Sequence, residues 1–272
     1  MQTRFDAYTA TTRAAGPDEL LPLIWTLSDN IRRGKGHHGF SDRAAVIAAC
    51  GTEVGAVQWG GTHGDLVMLE AKGERTPEVV DKLRESFEHR CTRVDSCHDV
   101  EEVGAFDRLL SDCIGVKKEY RLKGSKAGDW EDYPEDGRTL YLGSQKSPVR
   151  LRLYEKGLSP QYRHMERPDW VRIEVQVRPT KEAKAAYSTA DSLAVWGASA
   201  WTRELAGKVL AAELQPLPAG TVYKLTERDR ALMFMCKQYG AHMIDLRSEV
   251  GSWEEVGLHL STIIRNEQRR RR

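Results

Sequence analysis

The segment VRLRLYEK, residues 149–156, sets one tyrosine among three cations at alternating positions. Successive side chains of a strand point to opposite faces, so Arg150, Arg152, Tyr154 and Lys156 share one face, and the other face is apolar at 149, 151 and 153. Because an apolar face requires a core, the cationic face is predicted to meet solvent or a ligand. A tyrosine in this setting is suited to nucleophilic attack on a phosphodiester. It is also typical of an ordinary half-buried strand aromatic.

Two further segments, VRIEVQV and CTRVDSCHDV, are predicted strands that carry carboxylates on a polar face. The first places Glu174 on the face opposite its valines, and the second contributes Asp95. Asp99 follows Asp95 by four residues, which is roughly 13 Å along a straight strand. Both aspartates can therefore serve one small site only if that strand bends or ends between them.

If these three strands are neighbours, their polar faces assemble the groups needed for phosphodiester transfer by a tyrosine. Tyr154 would attack phosphorus and retain the 5′ side of the broken strand. Carboxylates would hold a hard cation, and Lys156 or an arginine would stabilise the developing charge. A free tyrosine, with a pKa of about 10, is mostly neutral at pH 7, so nearby cations are expected to favour the phenolate. The alternatives are a cross-strand salt bridge for an Arg–Glu pair and a helix cap for an aspartate at a strand end.

Composition places these residues in a globular chain of 272 residues with a sizeable core, 40% hydrophobic and 30% charged. No segment approaches the roughly 20 apolar residues of a membrane helix, and the first residues lack the apolar run of a secretion signal. A cytoplasmic protein with no membrane partner is expected. The five cysteines have no CxxC spacing, which favours reduced, mostly buried thiols. A net charge of +1 excludes a uniformly basic coat but allows local basic patches.

The order of the predicted elements indicates an α+β fold. A mixed, largely antiparallel sheet is built from a strand–helix–strand pattern that occurs twice, and a C-terminal helical region follows. The domains expected are 1–179, carrying the chemistry, and 180–272, helical and either packed on the first or forming a small DNA-binding subdomain. Residues 16–36 are predicted as one helix with basic residues at its end, and Thr76 as the N-cap of the next.

A histidine metal site is not expected, because no two histidines stand on one face of a predicted strand. The histidines are interpreted as surface or turn residues. Carboxylate ligands suit a hard cation better than imidazoles do.

Three segments together resemble the replication initiation factor family: TRVDSCHD, GRTLYLGSQKSPVRLRLYEKG and VRIEVQVRP, in this order. The opening RFDAYTATT and the segment VGAVQWGGTHGDLVMLEAKG also fit, so the resemblance extends from about Phe5 to Pro179. The run from Tyr-x-Gly-Ser to Arg-x-Tyr-x-Lys is its most specific part.

The resemblance implies a rolling-circle initiator that nicks one DNA strand at an origin, keeping a 5′-phosphotyrosyl link and releasing a 3′-OH primer. Tyr154 falls on the family's nucleophile, with Arg152 and Lys156 flanking it. Asp95 and Glu174 fall on its acidic positions, with Asp99 as a third, and the implied cofactor is Mg²⁺ or Mn²⁺. Two readings remain open beside it: a relaxase of a conjugative element with the same chemistry, and a sequence-specific DNA-binding protein without catalysis.

The DNA contacts predicted around the nucleophile are Arg150, Arg172, Lys146 and Ser144. The last two lie in the hairpin before the tyrosine strand, where a phosphate contact and a plain turn are equally compatible with the sequence. The partners expected are origin DNA, single-stranded or as a supercoiled or hairpin form, and a host helicase. A homodimer, which would supply a second tyrosine, is left open.

Overall fold

The computed structural model describes residues 2–131, 137–220 and 227–270. The chain divides into two compact units, Met1–Thr221 and Val222–Arg272. The first helices after residue 180 thus belong to the unit that contains the sheet. The division of roles between 1–179 and 180–272 stays a prediction.

In its described residues, the first unit contains a ten-stranded sheet and five α-helices. The strands are β1 Arg4–Thr12, β2 Asn30–Lys35, β3 Asp42–Ile47, β4 Glu53–Trp59, β5 Val67–Lys72, β6 Arg90–Glu101, β7 Gly124–Ala127, β8 Thr139–Leu142, β9 Val149–Glu155 and β10 Trp170–Val177. The helices are α1 Pro17–Ile24, α2 Thr76–Ser86, α3 Ala105–Glu119, α4 Ala183–Thr189 and α5 Ala200–Leu210. The described part of the second unit consists of α6 Glu227–Val250 and α7 Trp253–Arg270.

The sheet is built from two halves with the same arrangement of strands. Its order is β2-β3-β4-β5-β1-β6-β10-β9-β8-β7, and the paired neighbours among the described strands are antiparallel. β1 and β6 form the central pair, each is followed by a helix, and each is flanked by its own four-strand meander. The predicted α+β class, the antiparallel sheet, the twice-used pattern and the C-terminal helices are confirmed.

One face of the sheet is apolar and covered by helices. In β9 and β10 this face carries the alternating aliphatic residues predicted for it, and all are buried: Val149, Leu151, Leu153, Val171, Ile173, Val175 and Val177. Helix α1 packs on β4 and β5, α2 on β1, α3 on β8 and β9, and α4 on β6. The opposite face therefore carries the polar residues of the same strands.

Three local expectations differ from the structure. The helix predicted over residues 16–36 ends at Ile24, because Asp29 accepts from the amide and hydroxyl of Thr26 and pairs with Arg75, which fixes a turn. The basic residues that follow form the exposed edge strand β2. Thr76 lies inside α2 instead of capping it, and its hydroxyl donates to the Asp6 carbonyl at 3.2 Å.

The interpretation of the histidines holds only in part, whereas the prediction of reduced, mostly buried cysteines is confirmed. His89 and His98 are buried, not surface residues. Cys91, Cys97 and Cys113 are buried free thiols, whereas Cys50 and Cys236 are exposed. In the described chain no helix combines the length and the apolar character needed to cross a membrane.

Candidate active site

Strands β6, β10 and β9 lie side by side and bring the predicted polar faces together. Glu174 pairs with Arg152 of β9, and Arg172 pairs with Tyr154. On the other side of β10, Asp99 is opposite Arg172. Directly paired residues of neighbouring strands point to the same face. The three strands that the sequence analysis assumed to be neighbours are therefore adjacent in the sheet.

Glu174 is the most strongly perturbed carboxylate of this face. It is 5% exposed, and its Oε2 accepts a 3.0 Å hydrogen bond from Arg152 Nη2. Burial raises its pKa to about 7, Arg152 opposes this shift, and the carboxylates of Asp95 and Asp6 add to it. The site therefore holds a carboxylate with less cationic compensation than its burial requires.

Tyr154 lies next to this pair. The Arg152 guanidinium stands over the Tyr154 ring at 4.2 Å from its centroid. The pKa of Tyr154 is nevertheless raised, by burial first and then by the negative charge of Glu174, against the pull of Arg152 and Arg172. The expected stabilisation of the phenolate by nearby cations is thus outweighed, because desolvation penalises the charged form.

Asp95 is buried and held by two side chains. Arg93 donates from Nε to Oδ1 at 3.0 Å and from Nη2 to Oδ2 at 2.5 Å, and Gln176 donates to Oδ2 at 3.1 Å. Arg93 is 39% exposed on its side chain. The arginine that holds Asp95 is therefore in contact with solvent, whereas Asp95 itself is buried.

Arg172 is the centre of a second network on this face. Its Nε and Nη2 each donate to Asp99 at 2.6 Å, and its Nη1 donates to Asp6 at 2.5 Å. Its side chain is 1% exposed, and its pKa is raised because these bonds outweigh the burial. A DNA contact by Arg172 was predicted, but the buried and fully engaged guanidinium instead positions two carboxylates. Asp99 is held by Arg172, and its role as a metal ligand stays a prediction.

Asp6 is a site residue that sequence reasoning missed. A β-bulge shifts the register of β1 against β6 between Phe5 and Ala7, and the extra residue carries its side chain onto the polar face. The signal was present in the apolar pattern, since Phe5 and Tyr8 are both buried in the core while strict alternation would separate them.

Lys156 is buried where the chain turns away from β9. The strand ends at Glu155, and a 3₁₀ turn over Lys156–Leu158 follows. The ammonium lies 4.3 Å from the ring centroids of both Tyr162 and Trp170. Burial and the charge of Arg172 lower its pKa to about 8. Lys156 is thus enclosed between aromatic rings and not exposed beside Tyr154 on the strand face.

The predicted DNA contacts of the hairpin lie at the opposite end of β9. Ser144 and Lys146 are exposed, and the loop is closed by a 2.9 Å bond from the Ser147 amide to the Ser144 carbonyl. Arg150 lies on the polar face, with its guanidinium 4.2 Å from the Tyr141 ring centroid. Of this set, Arg150 alone shares the polar face with Tyr154 and remains accessible.

Replacing Arg172 by lysine tests the second network. An ammonium cannot span Asp6 and Asp99 as the guanidinium fork does, so we expect Arg172→Lys to lower the free energy of unfolding by roughly 1–3 kcal/mol. Urea titration measures the loss. Arg167→Lys, at an exposed pair with Glu101, is the matched control and should change stability little. Equal denaturation midpoints for the two variants would contradict the positioning role.

The donor chemistry of this face fits a hard divalent cation. Carboxylate oxygens are the ligands that such a cation prefers, and Glu174 is buried with insufficient cationic compensation. Within the described residues, no group of three or more His, Cys, Asp or Glu side chains has a metal-binding arrangement. Glu174 and Asp95 are each paired with one arginine, and their role as metal ligands stays a prediction.

Comparison with known proteins bears on the same strands. Residues 91–216 match the replication initiation factor family. This range contains β6, β9 and β10 and with them Asp95, Tyr154 and Glu174. The resemblance inferred from the sequence motifs is confirmed there, and the match supports a role in replication initiation.

One solved structure similar to this chain is a rolling circle replication initiator protein from Geobacillus stearothermophilus. Its sequence is 19% identical to this chain. The aligned region covers 65% of this chain and 74% of the Geobacillus protein, and the TM-score is 0.46. No curated protein matches this chain.

Proposed function

We propose that this chain initiates rolling-circle replication by nicking one DNA strand at an origin through Tyr154. The observation that carries the proposal is the shared face of β6, β9 and β10. It places a tyrosine, an arginine and two carboxylates in adjacent strands. A protein that only bound DNA would have no need of a buried, incompletely compensated carboxylate beside a tyrosine.

The proposed reaction is a transesterification. Tyr154 Oη loses its proton and attacks phosphorus, the Oη–P bond forms, and the bond from phosphorus to the 3′ oxygen breaks. That oxygen takes up a proton and becomes the 3′-OH primer, while the 5′ side stays on the tyrosine. A second transfer to a 3′-OH would release the product strand.

Arg152 has two tasks in this proposal. Its guanidinium holds Glu174 by a hydrogen bond and lies over the Tyr154 ring. A charge fixed in this position stabilises negative charge that develops on the phosphoryl oxygens. Lys156, whose ammonium is enclosed by Tyr162 and Trp170, contributes positive potential from the end of β9.

Glu174 and Asp95 would hold the divalent cation, Mg²⁺ or Mn²⁺. When bound, such a cation polarises the phosphoryl oxygens as a Lewis acid. Asp99 and Asp6 lie farther along the face, where both accept hydrogen bonds from Arg172. In this proposal the network fixes the positions of these side chains. A host helicase and a second copy of the chain remain the partners proposed for strand separation and for the closing transfer.

The deciding experiment is intact-mass measurement of the protein after incubation with Mn²⁺ and single-stranded oligonucleotides that tile its own replicon. We expect a mass increase equal to a 3′ fragment of one oligonucleotide, and no increase when EDTA removes the cation. The fragment's length locates the nick.

Absence of an adduct with every oligonucleotide, while DNA binding persists, would overturn the nicking proposal in favour of a DNA-binding protein without catalysis. An adduct that forms equally in EDTA would leave the tyrosine chemistry intact but refute the cation site.

A further inference from the structure

A pocket of about 270 Å³ lies on the polar face beside the proposed nucleophile. Four arginines line it: Arg93 from β6, Arg150 and Arg152 from β9, and Arg178 just beyond β10. Glu174, Tyr141 and Gln176 complete its polar wall. The proposed reaction uses Arg152 alone among these arginines.

The pocket has more positive than negative charge. Arg93 is paired with Asp95 and Arg152 with Glu174. Within the described residues neither Arg150 nor Arg178 forms an ion pair with a carboxylate; the Arg178 guanidinium donates to the Gln145 carbonyl at 3.3 Å. Two guanidinium charges are therefore uncompensated.

Donors in the pocket also lack partners. The Nε–H groups of Arg150 and Arg152 are buried and without a hydrogen-bond acceptor among the described residues. Buried donors in native structures nearly always have a partner. Two of the guanidinium groups that line the pocket are therefore not fully satisfied by the protein itself.

The electrostatics of Arg178 agree with this. Its pKa is lowered by burial and by the neighbouring charges of Arg93 and Arg150, against the opposing effect of Asp95. Arg178 thus lies among like charges that Asp95 only partly offsets, which favours binding of a further anion.

We propose that this pocket binds a phosphate of the DNA strand other than the scissile one, and so sets the register of the strand over Tyr154. The inference rests on the proposed function. Guanidinium forks match phosphate oxygens in geometry and charge. Arg150 lies four residues from Tyr154 on the same strand, roughly 13 Å away, so the phosphate bound there is a neighbour of the attacked one.

The position of the hairpin loop fits this assignment. Arg178 holds the Gln145 carbonyl in the loop that also carries the exposed Ser144 and Lys146. A strand that leaves the pocket would therefore pass this loop, which gives the predicted contacts a backbone-binding role next to the pocket.

The test measures binding without cleavage, in the Tyr154→Phe background. The probe is the tightest-binding single-stranded oligonucleotide of the replicon, labelled with a fluorophore, with one phosphate at a time replaced by a neutral methylphosphonate. We expect one neutral position other than the nick to weaken binding about tenfold, as loss of a charged hydrogen-bonded contact does. In Arg150→Ala/Arg178→Ala protein the same replacement should have no further effect.

Arg108→Ala is the matched control for the lost charge. Arg108 is exposed on α3, on the opposite face of the sheet, and pairs with Glu102. It should retain the full response to the neutral position, and its Kd should depend on salt as the parent's does. For the Arg150→Ala/Arg178→Ala variant, the slope of log K against log salt concentration should decrease in magnitude by about one to two, which corresponds to one or two lost phosphate contacts.

Three outcomes would overturn the inference. No coupling between any methylphosphonate position and the two arginines refutes the phosphate pocket and leaves the proposed function to the adduct experiment. Coupling to an abasic position instead of a neutral phosphate assigns the pocket to a base. Failure of the Tyr154→Phe protein to bind any DNA overturns the pocket and the proposed function together.

Discussion

Tyr154→Phe should abolish the covalent adduct and reduce nicking to below about 10⁻⁴ of the wild-type rate, while DNA binding persists. Loss of the hydroxyl removes the only atom proposed to attack phosphorus. The ring remains, so the contact with the Arg152 guanidinium is preserved. Burial raises the pKa of the hydroxyl, so the folded protein loses no ionised group. Gel assays of single-turnover nicking with labelled origin DNA measure the rate, and fluorescence anisotropy measures the binding.

Tyr120→Phe is the control for this change. Tyr120 follows helix α3 and lies away from the polar face, so that variant should nick at the parental rate. Nicking by the Tyr154→Phe protein at more than a few per cent of the wild-type rate would assign the nucleophile to another residue. Tyr141 and Tyr162 would be the next to test.

Glu174→Gln should lose cation-dependent nicking by about 10³-fold and at the same time stabilise the fold above neutral pH. Removing one carboxylate ligand weakens the site proposed for the cation. The gain in stability has a separate cause, which is that burial raises the pKa of Glu174 from 4.5 to about 7. The variant keeps an oxygen that can accept the bond from Arg152.

The pH dependence follows from the direction of that shift. The folded state binds the proton more tightly than the unfolded state, so the wild type loses stability as pH rises from about 4.5 through about 7. Above that range the penalty is complete. The advantage of Glu174→Gln should be absent near pH 4.5 and reach on the order of 2–3 kcal/mol near pH 8. Thermal unfolding of both proteins across this range is the measurement.

Glu155→Gln gives the matched comparison on the neighbouring strand. Glu155 accepts from Arg138 through both carboxylate oxygens and faces the other side of the sheet. The same chemical change should therefore lower stability by about 1–3 kcal/mol and leave nicking unchanged. A Glu174→Gln protein that is less stable than wild type at pH 8 would show that its carboxylate is adequately compensated.

The faces of the strands were predictable because side-chain alternation is a local property. Arg150, Arg152 and Tyr154 had to share a face once Leu151 and Leu153 were assigned to the core, and both leucines are fully buried. The same rule placed Glu174 opposite the valines of β10. The motifs that resemble the family then indicated tyrosine attack on a phosphodiester, because they specify residue types at short spacing.

The helix end at Ile24 could not be predicted by the same means. Residues 16–36 keep apolar residues at helical spacing, but Arg75, 46 residues away, binds Asp29 and fixes a turn there. Residues beyond it gain backbone partners by pairing with β3. Hydrogen bonds to residues distant in sequence thus outweighed the local helical pattern, because tertiary context overrides helix propensity.

By itself the sequence determined which residues share a face, since a strand's period needs only neighbours along the chain, and from those faces came the chemistry proposed for them. Only the tertiary structure decided which strands are adjacent, and with that the pairing of Glu174 with Arg152 and of Arg172 with Asp99. It also brought Asp6 into the site through a bulge in β1 and enclosed Lys156 between two aromatic rings. These features depend on sheet register and on burial, which join residues up to 166 positions apart, and of them only the bulge at Asp6 has a trace in the apolar pattern of its own strand.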